Sequence, residues 1–143
     1  MAWFENSQNQ RRLQQVEIPL MKRNFPHFAL YSNGVNGSQS FMKQDTLFWG
    51  GKLGTNFGTT YTLAVAYPEN YPYGQLHAFV VELLSVKTPH KYTDGHLCLY
   101  SNDHGGGGEG IGRETTAVTV VGWTAAWLNA WEVYQRTQRW PGR

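Results

Sequence analysis

A chain of 143 residues is the size of one ordinary domain, and its 12 Lys+Arg against 10 Asp+Glu leave a net charge of only +2. That balance argues against a nucleic-acid binder held by a broad basic face, which needs a surplus of cations to neutralise phosphates. Aromatic residues are as frequent as charged ones, 15% each, so there is ample ring area to offset the entropy of ordering and the composition excludes a disordered chain. The single cysteine, Cys98, excludes an internal disulfide framework and a four-cysteine zinc site, and points to a reducing, cytoplasmic setting. No stretch has the apolar core of a signal peptide or the roughly 18 apolar residues of a spanning helix. One soluble domain over residues 1–143, without a membrane partner, is expected.

Residues 5 to 23 read as a helix capped by Asn6 or Ser7, with Leu13, Val16, Leu20 and Met21 at helical spacing. Pro19 lacks a backbone donor and predicts a kink or break there. Arg11, Arg12, Lys22 and Arg23 cluster on this segment, either as a solvated face or as a docking face. From Phe28 to Val81 the pattern changes to short strands. Phe28–Tyr31 precedes the turn dipeptides Asn33-Gly34 and Asn36-Gly37, and Phe41–Trp49 is closed by Gly50-Gly51. Tyr61–Tyr67 alternates large and small residues, and Leu76–Leu84 is apolar on both faces. Between these two, Pro68 and Pro72 forbid sheet pairing, so Tyr67–Gly74 reads as a rigid crossing packed down by Tyr67, Tyr71 and Tyr73. After an irregular stretch, His90–Gly112, helical period returns near Ala117, with Val120, Trp123, Trp127, Ala130, Trp131 and Tyr134 on one core-facing stripe. Helix, strands, irregular segment and helix in that order make the class α+β.

The chemistry-bearing residues concentrate in Thr88–Tyr100. Cys98 reads either as a small buried hydrophobe or as a displayed thiol, because it lies outside regular elements among His, Asp and Gly and before the four glycines Gly105–Gly108. A metal protein is the competing chemical reading: His90, His96, Cys98 and His104 fall within one short stretch near Asp94 and Asp103, at spacings that match no established zinc pattern. There is no G-x-S-x-G elbow and no phosphate-cradling loop, and no cofactor is expected.

The order of these motifs resembles the ubiquitin-conjugating enzymes, the second step of the activating–conjugating–ligating cascade, over most of the chain. The counterparts are Phe48-Trp49-Gly50, Tyr67-Pro68-Glu69-Asn70-Tyr71-Pro72, His90, Gly95-His96-Leu97-Cys98-Leu99 and the Trp123–Trp131 helix. The resemblance implies an N-terminal helix, a four-stranded antiparallel meander, an irregular catalytic-cysteine segment and a C-terminal helix, without the last two helices of eukaryotic members. It departs from the family where a His-Pro-Asn triplet is usual, for here the residues are His90-Lys91-Tyr92. The compact pattern is similar to a prokaryotic branch found in bacterial antiviral operons beside a nucleotide cyclase or a ubiquitin-like protein.

The implied activity is that of a conjugating enzyme. Cys98 accepts the C-terminal acyl group of a ubiquitin-like protein or a cyclase as a thioester and passes it to a protein or small amine acceptor. Sulfur suits this task, because a thiol of pKa ~8.5 is only a few per cent ionised at neutral pH yet remains nucleophilic. The oxyanion donor lies among Tyr92, Thr93, Asn102 and backbone N–H groups. Asp94, Asp103 or His104 would orient or deprotonate the incoming amine, although Asp94 equally suits a turn before Gly95. His90 would brace the loop, and His96 is expected to point away from the surroundings of Cys98. By resemblance, an activating enzyme would dock at Arg11 and Arg12. A non-catalytic docking module of the same fold is the alternative.

Overall fold

The structure is a computed structural model that describes residues 5–34, 39–100 and 115–141. The first helix begins where Asn6, in extended conformation, accepts hydrogen bonds from the N–H groups of Gln8 (2.9 Å) and Asn9 (3.4 Å). It runs in three pieces: α1 (Ser7–Arg12), a π-helical turn (Leu13–Glu17) and α2 (Ile18–Asn24). The backbone stays helical through Pro19, so the expected break does not occur; the π turn just before it, where Ile18 N–H donates to the Leu13 carbonyl, takes up the irregularity. The same turn directs Glu17 inward, to 1% exposure, while Val16 stays on the surface.

Four strands follow as an antiparallel meander in the order β1-β2-β3-β4: β1 (Ala29–Ser32), β2 (Leu47–Gly54), β3 (Thr60–Ala66) and β4 (His77–Val80). Register pairs Trp49 with Val65, Leu53 with Tyr61, and Leu63 with Val80. Alternation therefore puts Leu47, Trp49, Leu53, Tyr61, Leu63, Val65, Ala78 and Val80 on one inner face, and all are buried. On the outer face Ala64, Ala66 and Phe79 form a smaller cluster with Phe41, Met42, Phe48 and Leu84.

Two expectations need correction here. Phe41–Thr46, the first part of the expected strand, is not strand, because the buried Asn33 amide gathers the carbonyls of Met42 (3.1 Å) and Lys43 (2.9 Å) and accepts from the N–H of Gln39 (2.7 Å). Those groups are thereby withdrawn from the ladder. Gly50-Gly51 does not close β2 but lies inside it. A methyl group at Gly51 would come within 2.5 Å of the Phe28 ring, so the glycine admits that ring against the sheet. β4 is also shorter than the apolar run, which turns into a 3-10 helix over Val81–Leu83.

α3 (Ala117–Thr137) starts at the Thr116 cap and packs across β2, β3 and β4 and against α2. Its buried stripe is Ala117, Val120, Val121, Thr124, Trp127, Leu128, Trp131 and Glu132. Trp123, Ala130 and Tyr134 flank that stripe half-buried, as large rings on a sheet-facing helix often do. Tyr61 donates to Glu132 across the sheet–helix interface at 2.7 Å. In the crossing segment Tyr67 and Tyr71 are buried, whereas Tyr73 is 61% exposed and does not pack it down. The resulting α+β architecture is the expected one, and no helix follows α3 among the described residues. None of the described helices is long and apolar enough to cross a membrane.

Glu17 ties these layers together. Its carboxylate accepts from the hydroxyls of Tyr67 (2.6 Å) and Tyr71 (2.7 Å) and from the N–H of Ala117 (3.0 Å) at the start of α3. Arg12 completes the group, with its guanidinium 3.7 Å from Glu17, 5.0 Å above the Tyr71 ring and donating to the Tyr71 hydroxyl at 3.2 Å. Burial, and then the charge of Glu17, push both phenols well above their ordinary range.

Candidate functional site

The segment holding Cys98 is a short hairpin. Tyr92 N–H donates to the His96 carbonyl (2.9 Å), Gly95 N–H to the Tyr92 carbonyl (3.0 Å), and Cys98 N–H to the His90 carbonyl (2.9 Å). Lys91 and Leu97 are thus bridged as an antiparallel pair across the turn Thr93-Asp94-Gly95. Gly95 takes φ +101°, and a side chain there would also strike Leu84, so glycine is required. The returning arm is pinned to the edge of β4, where Leu97 N–H donates to the Ala78 carbonyl (2.9 Å) and His96 bridges Phe79.

Strand alternation then sorts the side chains. Leu97 enters the core, and Lys91 reaches the carbonyls of Leu83 (2.6 Å), Leu84 and Val86. His96 and Cys98 fall on the opposite face together. His96 therefore does not turn away from the cysteine, as the sequence had suggested. Cys98 is 6% exposed and is covered, not displayed.

His90 braces this hairpin through its backbone. Its carbonyl accepts from Cys98 N–H and from the Trp127 indole N–H (3.1 Å), while its ring meets Trp140 edge-on at 4.8 Å. It does so at φ +57°, a left-handed conformation uncommon outside glycine. Tyr92 is partly exposed and stacks on His96 with ring centroids 4.3 Å apart. Asp94 accepts from His96 twice, from its N–H at 3.1 Å and from its Nδ1 at 2.6 Å. Partial burial raises the Asp94 pKa, but the hydrogen bonds from His96 outweigh it and hold the carboxyl below its ordinary value. Asn102, Asp103 and His104, together with the four glycines, lie outside the described residues.

The structure adds His77, which sequence reasoning missed. Its ring lies flat on His96, 3.8 Å away and within 1° of parallel. Only the pairing of β4 with the hairpin brings these two together, so no local motif announces it. Ligand-capable atoms of His77, Asp94 and His96 lie within 4.8 Å of one another, a grouping that shares His96 and Asp94 with the His90, His96, Cys98 and His104 set read from sequence but replaces the rest with His77. Imidazole coordinates in its ring plane at about 2.0–2.1 Å. An ion between rings stacked at this spacing would sit almost directly above both planes, so the stacked arrangement does not fit a metal.

Of the two arginines that end α1, Arg11 is exposed, whereas Arg12 is turned into the Glu17–Tyr71 cluster.

A search of curated proteins found no match to this chain. A family model described as the type II CBASS E2 protein does match, over residues 17–143. That span takes in the sheet, the crossing segment, the cysteine hairpin and α3, and it carries a conjugation-type role in bacterial antiviral defence. The chain belongs to the E2-CBASS family, the prokaryotic ubiquitin-conjugating-like proteins of antiviral operons.

Proposed function

We propose that this protein is a thioester carrier. An activating enzyme delivers the C-terminal acyl group of a ubiquitin-like protein or of a nucleotide cyclase, Cys98 takes it up, and a protein or small amine acceptor receives it. The observation that carries this reading is the single cysteine of a family member, held in the Gly95-His96-Leu97-Cys98-Leu99 hairpin arm. With one thiol in the chain there is no competing carrier. His90 holds the hairpin, and Tyr92 offers a hydroxyl beside it in place of the missing asparagine. Asn102 and Asp103 stand as further candidates for the oxyanion and the amine. The activating enzyme docks on the first helix. Arg11 supplies the charge there, while Arg12 serves both that face and the buried cluster behind it.

The experiment is reconstitution of conjugation with the partner proteins, comparing wild type with Cys98→Ala. Loss of all conjugation in a variant with unchanged circular dichroism supports the carrier reading. Conjugation at the normal rate by Cys98→Ala would contradict it.

The burial of Cys98 favours a second reading, a docking module of the same fold with a structural thiol. Alkylation separates the two. A carrier's sulfur becomes reactive when the activating partner is added, whereas a structural thiol stays protected until the protein unfolds.

A further inference from the structure

We infer that His96, held by Asp94, is the general base of acyl transfer, taking the proton from the acceptor amine as it attacks the Cys98 thioester. The inference rests on the carrier reading and concerns only its second half-reaction. Three observations place the base. The hairpin pairing puts His96 on the same face as Cys98, two residues away, about 7 Å along an extended segment. The Asp94 carboxylate, 2.6 Å from Nδ1, fixes the tautomer with the proton on Nδ1 and leaves the Nε2 lone pair as the acceptor. The ring is clamped between His77 and Tyr92 and its side chain is only 14% exposed, so its orientation is fixed before the acceptor arrives.

The neighbouring surface suits a primary amine on an aliphatic stem. A cleft of about 460 Å³ opens beside the pair, lined by Phe41, Met42, Phe79, Glu69, His77 and Asp94. Its apolar rings and thioether fit the methylenes of a lysine side chain. The Glu69 carboxylate draws in the ammonium, with Lys43, paired to it at 3.9 Å, as the opposing charge.

The step balances without a further reactant. The neutral amine nitrogen attacks the thioester carbonyl, and its N–H proton passes to His96 Nε2. The carbonyl re-forms as the C–S bond breaks, and the bonding pair leaves on Cys98 Sγ. The imidazolium returns the proton to that thiolate, giving one amide and one free thiol. Asp94 is a positioning residue that touches neither the acyl group nor the amine.

The test separates loading from discharge. The protein is loaded with its activating partner present, where Cys98 is the one thiol this chain offers, and discharge of the purified thioester to free lysine is then followed across pH. His96→Phe keeps a flat ring between His77 and Tyr92 but deletes the base, and His96→Gln is the second variant should the first misfold. We expect loading as in wild type and discharge slower by about 100-fold or more, with a flatter dependence of discharge on pH. Asp94→Asn should lower the rate constant of discharge with little change in the lysine concentration that gives half-maximal rate. Normal loading with wild-type discharge in His96→Phe would overturn the inference alone. Failure of wild-type Cys98 to hold any thioester would overturn the carrier reading beneath it, and the inference with it.

Discussion

Replacing Glu17 with alanine removes one carboxylate and strands groups on three segments at once. The Tyr67 hydroxyl loses its acceptor at 2.6 Å, and the Ala117 N–H loses its acceptor at 3.0 Å. Tyr71 is better placed, because its proton can turn to the Thr115 carbonyl at 2.7 Å. Losing these two buried bonds costs about 1–3 kcal/mol each, and Arg12 loses the Glu17 carboxylate beside it. We therefore expect a loss of about 3–5 kcal/mol, the usual range when one partner is removed from a buried ionic group. That is a large share of the roughly 5–15 kcal/mol that stabilises a domain. Glu17→Gln should lose less, about 1–2 kcal/mol, because its carbonyl oxygen still accepts from Tyr67 and Ala117. Urea denaturation at neutral pH measures both, with midpoints shifted and slopes unchanged. A loss below about 1 kcal/mol in Glu17→Ala would refute the reasoning, since it would mean that the cluster contributes no more than an ordinary surface pair.

The other predictions concern the hairpin and the first helix. Trp127→Phe keeps the ring stacking but deletes the indole N–H that holds the His90 carbonyl, and should cost about 1–2 kcal/mol by urea denaturation. Unchanged stability would show that the bond is dispensable. Asp94 has a lowered pKa, so its contribution to stability is present above its ordinary value of 3.8 and is lost as pH falls through the folded value. The stability difference between wild type and Asp94→Asn should hold steady from pH 7 to about pH 4 and close below it; a difference that grows in acid contradicts the hydrogen-bonded geometry. Arg11→Glu, which leaves the Arg12 cluster intact, should slow loading by the activating partner and leave discharge of a preformed thioester unchanged. Equal slowing of both steps argues against a docking role.

Much of the fold could be read along the chain because the deciding signals are local. Asn6 caps the first helix, alternation in Tyr61–Ala66 sorts its residues between the two faces, and the helical period resumes at Ala117, where α3 starts. The hairpin was legible as a Gly95 turn before Cys98, but its consequences were not. That His96 shares the cysteine's face follows from a bridge to Lys91 and a register against Phe79, which are set by tertiary pairing. His77 is joined to the site by the same pairing. Glu17, flanked by Gln15, Val16 and Ile18, carries no sequence mark of burial. Its partners lie 50, 54 and 100 residues away. The false strand over Phe41–Thr46 fails for a comparable reason, since the residue that captures the carbonyls of Met42 and Lys43, Asn33, reads in sequence only as half of a turn dipeptide.

The central claim is that Cys98 carries an acyl group, and intact mass of the protein co-expressed with its operon partners tests it most directly. The account predicts a protein-sized adduct on wild type that thiol reagents remove, a thiol-stable ester in Cys98→Ser, and no adduct in Cys98→Ala. An adduct that survives in Cys98→Ala, or none on wild type with the partners present and folded, would contradict it.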